Sequence, residues 1–170
     1  MATKAYRVSC HCGRVQAKFR REKNLPLTVW DCNCSDCSLR RNLHFMIPAS
    51  DFWLVDTTSA ACEEALDDDS CTRDDAAPSS TKAAIQTFER KTTLYQWGTK
   101  TAIRRFCSTC GVLPFYVPRS NPDGFGITYP CVDWGEDGPP PTEVKTFDGV
   151  NWEKSHQDTN IASETSKKTK

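Results

Sequence analysis

Apolar and polar residues alternate through most of the first thirty positions. Tyr6 and Val8, then Val15, Ala17 and Phe19, are apolar with polar neighbours between them. A period of two puts one set of side chains on one face, which predicts half-buried strands on either side of residues 10–13. Asn24-Leu25-Pro26 breaks the pattern, and Leu27, Val29 and Trp30 lead a further strand into Cys32. Ser35-Asp36 predicts the cap of a short helical turn running to Arg41. Phe45-Met46-Ile47 predicts a short strand closed by Pro48, and Ser50-Asp51-Phe52-Trp53 one more turn. Strand signals resume at Phe88 and reach a turn at Trp97-Gly98. Residues 102–106 and 113–117 predict a second hairpin, and residues 127–129 and 144–147 the last strands. The pattern predicts a mainly β fold of short antiparallel sheets.

Two stretches lack the pattern. Residues 56–84 contain Asp67-Asp68-Asp69 and Ala76-Ala77-Pro78-Ser79-Ser80, with Leu66 the one large aliphatic before Ile85. Such a segment cannot bury enough apolar surface to offset its ordering entropy, so it reads as a mobile acidic insertion. Residues 154–170 are polar and end in Lys167, Lys168 and Lys170, which reads as a disordered tail. One domain over residues 5–153 remains.

Composition narrows the class. The mean hydropathy is −0.59 and 26% of the residues are charged. No apolar run approaches the ~18 residues of a membrane span. The first residues lack the apolar stretch of a secretory signal, so the expected compartment is reducing, cytosolic or nuclear. The 22 basic and 22 acidic residues cancel, which argues against a dedicated nucleic-acid binder. The charge is uneven all the same. Residues 1–30 carry seven Lys/Arg against Glu22 alone, and residues 56–75 carry eight acids against Arg73 alone. The basic face fits a small anionic ligand, or is simply solvated.

The chemistry lies in the cysteines. Ten cysteines in 170 residues are about 6%, below the ~8–10% of a disulfide scaffold. Seven fall into three clusters: Cys10/Cys12, Cys32/Cys34/Cys37 and Cys107/Cys110. Gly13 and Gly111 follow the first and last, where positive φ lets the chain turn around an ion. Seven ligands divide into four plus three. The two pairs followed by glycine, Cys10/Cys12 and Cys107/Cys110, predict a closed structural zinc that ties the early hairpin to the late one. Cys32, Cys34 and Cys37 then form a second zinc site, two Zn²⁺ per chain in all. Either its fourth position is open, or a side chain closes it, with Cys131, His44, His11, Cys62, Cys71 or an acid as candidates. Three thiolates leave such a zinc near −1. It suits a soft exogenous thiolate better than the activation of water. A metal-free catalytic cysteine is the weaker reading, because no histidine is adjacent.

Three strings carry a resemblance: Ser9-Cys10-His11-Cys12-Gly13, Cys32-Asn33-Cys34-Ser35-Asp36-Cys37 and Phe106-Cys107-Ser108-Thr109-Cys110-Gly111. With Tyr95-Gln96-Trp97-Gly98 before the last, they resemble the glutathione-dependent formaldehyde-activating enzyme family, which includes centromere protein V. The resemblance spans about residues 5–155. It implies a β-tent fold of small sheets around zinc, and the same four-plus-three division of ligands. It also implies carbon–sulfur lyase chemistry in which glutathione and formaldehyde combine reversibly into S-hydroxymethylglutathione. Many relatives carry His where this chain has Asn33, and Val112-Leu113 also depart from the family pattern. An Asn cannot shuttle a proton.

Two functions follow as expectations. In the first, the protein is an enzyme whose catalytic centre is Cys32, Cys34 and Cys37. Arg40 and Arg41, which follow the cluster directly, are the first choice to pair with the carboxylates of glutathione, with Arg104 and Arg105 as further candidates. In the second, it is a non-catalytic zinc scaffold for protein binding.

Overall fold

The computed structural model describes residues 2–55 and 80–165. The core of the acidic insertion, with Cys62 and Cys71, lies outside the described residues, as do residues 166–170. No helix among the described residues is long and apolar enough to cross a membrane.

The described residues form two sheets. The first has four strands, in the order β10 (Val132–Asp133), β1 (Thr3–Ser9), β2 (Gln16–Glu22), β5 (Phe52–Leu54). The second has seven: β11 (Thr142–Phe147), β3 (Leu27–Cys32), β4 (Leu43–Pro48), β9 (Gly124–Thr128), β8 (Phe115–Val117), β7 (Ile103–Cys107) and β6 (Thr92–Tyr95). The alternation in residues 6–19 is the first sheet's inner face. Tyr6 pairs with Phe19 and Val8 with Ala17 across β1 and β2, and all four are buried. They meet Val29, Phe45, Ile47, Phe115 and Ile127 of the second sheet in one core. Trp134, partly buried, packs with Tyr6, Phe19 and Phe45 at ring distances of 5.2–6.3 Å. Each fully buried Phe of this kind contributes about 1.5–3 kcal/mol.

Most of the predicted strands are present, with three differences. Pairing is antiparallel except at one edge, where β11 runs parallel to β3, from Thr142 beside Leu27 to Phe147 beside Cys32. The long connection through β10 and the proline-rich link allows that crossing. Phe88 lies in a helix, not a strand: α2 spans Lys82–Lys91, so the insertion's predicted end at residue 84 is also too late. Thr81 caps α2 by accepting from the Ala84 amide, and Phe88 stacks on Phe115 at 5.4 Å. The third difference is the predicted tail. Residues 154–165 are ordered, as the rest of α3 (Trp152–Asp158) and a 3₁₀ turn at Ile161–Glu164. One apolar anchor holds this polar segment, since Ile161 is buried beside Trp30, Cys37, Met46 and Phe147. Its polar groups also find partners. Buried Asn121 donates to Ile161 O at 2.9 Å and to Thr165 Oγ1 at 3.0 Å, and Trp30 Nε1 donates to the Glu164 carboxylate at 3.1 Å.

Candidate metal centres

The seven clustered sulfurs fall into a group of four and a group of three. In the first group, Cys10 and Cys12 follow β1, Cys107 ends β7, and Cys110 sits in the turn toward β8. The two turns are built alike. Cys10 N donates to Val15 O and Gly13 N to Cys10 O, while Cys107 N donates to Val112 O and Gly111 N to Cys107 O, all at 2.9–3.0 Å. Gly13 and Gly111 both have φ of 73°. All four sulfurs lie within 4.8 Å of one another, and the Cys12 sulfur is 3.6 Å from those of Cys10 and Cys107. Tetrahedral zinc with Zn–S bonds of about 2.3 Å needs sulfurs about 3.8 Å apart, so this set fits a zinc ion. One ligand pair belongs to each sheet, so the centre joins the two sheets.

The second group is local. Cys32 ends β3, Cys34 precedes α1 (Ser35–Arg40), and Cys37 lies in its first turn. The Cys34 sulfur accepts from the Cys37 amide at 3.4 Å, so the ligand is also the helix cap. The three sulfurs lie within 4.8 Å of one another. No fourth histidine, cysteine or carboxylate among the described residues joins them at that spacing. The group backs onto Gly149, where a Cβ would stand 2.6 Å from the Cys32 sulfur and 2.7 Å from Cys34 Cβ. Asn33 fastens this loop. Its amide donates to Asp148 Oδ1 at 3.0 Å, and its Oδ1 accepts from Val150 N at 3.1 Å. The residue that departs from the family pattern therefore holds the loop beside the cluster.

Protons are shared unevenly within each group. Hydrogen bonds from Cys32 and Cys37 pull the Cys34 thiol far below the usual range. Its partners move the other way: the bond to Cys34 takes Cys32 up to about 11, and the bonds to Cys32 and Cys34 take Cys37 higher still. In the first group, burial pushes Cys10 up to about 12. Burial also raises Cys110, but hydrogen bonds from the Val112 and Cys12 amides and two thiols outweigh it and hold it at about 6. Cys34 and Cys110 are thus the readier thiolates, while Cys10, Cys32 and Cys37 must give up protons to a metal. Cys131, raised to about 11 by burial, belongs to neither group.

A cavity of about 270 Å³ opens in front of Cys32, Cys34 and Cys37. His44, Arg104 and Tyr116 form part of its wall, together with Trp97, Pro118, Arg119, Gly149, Trp152 and Glu153. His44 is buried and its Nδ1 lies 3.0 Å from Asn42 O. A carbonyl only accepts, so Nδ1 carries the proton and Nε2 is left with a lone pair. Burial keeps the ring neutral. Arg104 is buried, its Nε 2.6 Å from Asp36 Oδ2, with its guanidinium over the Tyr116 ring at 5.3 Å. Arg40 pairs with the same Asp36 and lies over Phe106. Arg41 takes the left-handed conformation that closes α1. Neither Arg40 nor Arg41 lines the cavity, whereas Arg104 and Arg119 do.

Arg119, Gly149 and Trp152 carried no signal strong enough to single them out. Gly149 follows Asp148, a turn pair, but nothing in that dipeptide says that its missing Cβ makes room for sulfur 117 positions earlier.

No protein-family model matches the chain. Among solved structures, it is similar to the crystal structure of a Rhodobacter sphaeroides protein from structural genomics. The two share 25% identity over 81% of this chain and 99% of that one, with a TM-score of 0.51.

Proposed function

We propose that the protein is a zinc-dependent carbon–sulfur lyase that makes and breaks adducts of a small thiol, with glutathione and formaldehyde as the reacting pair. The observation that carries this reading is the three-sulfur group facing a cavity with no fourth ligand side chain among the described residues. Zinc held by Cys32, Cys34 and Cys37 would supply a soft Lewis-acidic position for one more thiolate. The chain's own residues do the rest. Trp97, Pro118 and Trp152 wall the cavity and limit water around the reacting carbon. Tyr116, whose pKa burial raises well above the ordinary value, stays neutral and can donate to a carbonyl oxygen. His44 Nε2 can take the thiol proton and return it to the new hydroxyl as the sulfur–carbon bond forms. The reverse path breaks the bond with the proton moving back. Holding both reactants in one cavity supplies the gain in rate.

The second reading is a non-catalytic zinc scaffold for protein binding. It is favoured by the exposure of Leu39 in α1 and Val150 beside Gly149, at 86% and 73%. One experiment separates the two. Protein loaded with cobalt in place of zinc is titrated with glutathione, and the sulfur-to-metal absorption is followed. A fourth sulfur should add to one centre, and exchange between free and hydroxymethylated thiol should quicken with formaldehyde present. A spectrum that glutathione leaves unchanged would rule out the lyase and leave the scaffold.

A further inference from the structure

The wall of the cavity contains two arginines, and they are not equivalent. Arg104 belongs to a trio in which it, buried, and Arg40, partly buried, share the single carboxylate of Asp36. Two positive charges against one leave a surplus of about one beside the sulfurs, which offsets the −1 of a three-thiolate zinc. Arg104 is thus committed to Asp36 and lies over the Tyr116 ring. Arg119 is held differently. Its guanidinium lies 3.6 Å from the Trp152 ring centroid, and one Nη meets Glu153 at 2.8 Å. The Glu153 side chain is 74% exposed, so this tie is of the surface kind that contributes little and exchanges readily. The stacking keeps the planar fork flat and pre-set. Trp152, partly buried, packs edge-on to Phe147 and against the buried cluster that includes Cys32 and Cys37, so the arginine's platform is continuous with the cysteine group.

From this allocation of charge we infer that the cavity selects thiols that carry a carboxylate, and that Arg119 is the residue that reads it, with Glu153 holding its place until the ligand arrives. The inference rests on the reading of the second centre as a thiol site, and it names the class of thiol. A carboxylate entering beside Trp152 replaces Glu153 on Arg119 and gains a bidentate, partly desolvated partner. A neutral thiol of the same size finds no such partner. Two consequences have opposite sign: loss of Arg119 weakens acidic ligands, and loss of the Glu153 charge strengthens them.

The test uses the cobalt-loaded full chain, with 3-mercaptopropionate and its methyl ester as probes and sulfur-to-cobalt absorption as the readout. The acid should bind about tenfold more tightly than the ester, the size of one charge-assisted contact. Arg119→Gln should bring that ratio close to one, and Arg119→Lys should recover part of it. Glu153→Gln should tighten the acid severalfold and leave the ester alone. Equal binding of acid and ester, or an unchanged ratio in Arg119→Gln, overturns the inference. A second arm needs no thiol coordination: S-methylglutathione should quench tryptophan fluorescence, and its dimethyl ester or the Arg119→Gln variant should not show the effect. If no thiol alters the cobalt spectrum while this second arm behaves as stated, the lyase reading fails and the role of Arg119 stands. Equal quenching by S-methylglutathione and its ester removes that role. Arg119 and Glu153 are both at the surface, so melting by circular dichroism should confirm that each variant is folded.

Discussion

The two cysteine groups differ in where their ligands come from, and the difference assigns their work. The first takes sulfurs from two different sheets, and even its nearest cross-sheet pair, Cys12 and Cys107, is 95 residues apart. The second takes all three from residues 32–37, on one strand end and one helical turn. Closing a loop of ~95 residues costs about 4 kcal/mol in chain entropy, against about 1–2 kcal/mol for a loop of five. A metal in the first group offsets that cost and holds the sheets together. A metal in the second finds its ligands already placed by local structure, and contributes little to the fold. Such a centre can exchange a ligand or a proton without loosening the domain.

Removing one sulfur from each group is the most severe way to break the comparison. Cys107→Ser should unfold the domain or make it aggregate. A structural zinc contributes about 10–16 kcal/mol in small zinc domains, as much as the whole stability of a typical domain. Cys34→Ser should stay folded and hold one metal fewer, measured by metal analysis beside thermal melting. Equal collapse of the two variants would dissolve the distinction between the centres.

A gentler substitution acts on the second centre alone. In Gly149→Ala the new methyl would overlap the Cys32 sulfur and Cys34 Cβ, and one of them is backed by the strand end. Overpacking of this kind costs about 1–3 kcal/mol. The variant should lose metal from the second group, as read by the loss of one cobalt chromophore, and keep the first. Retention of both chromophores would mean that the loop yields and that Gly149 is not part of the site.

These two experiments follow what could and could not be read from the residues. The division of sulfurs was legible because metal ligands must sit a few positions apart, and the glycines that turn the chain follow directly. The strands of the core were legible because a period of two survives in Tyr6, Val8, Ala17 and Phe19. The helix at Lys82–Lys91 was not, because a polar decamer with only Ile85 and Phe88 as large apolar residues looks like the end of the insertion. The segment at 154–165 was missed for the same reason: Ile161 is its buried aliphatic anchor, and its polar ties run to Asn121, Trp30, Asp123 and Asp148. The arginines were ranked by proximity in sequence, with Arg104 and Arg105 placed after Arg40 and Arg41. Arg40 and Arg41 follow the cluster, but a helical turn carries them away from the cavity, and β7 and the end of β8 bring Arg104 and Arg119 to it.

The segment at 154–165 also joins the comparison, since Ile161 lines the cavity beside the second group and packs with Cys37. Asn121→Ala removes the donor that holds Ile161 O, Ala162 O and Thr165 Oγ1. With the buried acceptors left unpaired, the cost should be about 1–3 kcal/mol. Hydrogen exchange should rise across 159–165 while the amides of β1 and β2 stay protected. Uniform loss of protection would show that this segment is integral to the core.

The smallest effect expected is a pH dependence at the same segment. Burial raises the Glu164 carboxyl to about 6 from an ordinary 4.5, against the donation from Trp30 and the nearby charge of Lys145. A raised acid binds its proton more tightly in the folded chain. Its favourable contribution is therefore complete below pH 4.5 and is lost as the pH climbs through 6. The side chain is half-buried, so the loss should be about 1 kcal/mol, below the full value of the shift. Glu164→Gln cannot ionise, yet its side-chain carbonyl still accepts from Trp30 Nε1. The variant should match the parent at pH 4.5 and exceed it in stability by about 1 kcal/mol at pH 7, read from denaturant midpoints at the two pH values. Cys110, held at about 6 in the other centre, also titrates near this window. Zinc content must therefore be held constant across the two measurements. A variant that gains nothing at pH 7 would mean that Glu164 is solvated, and that the turn beside the cavity is held by Ile161 and by the bonds of Asn121 and Thr165.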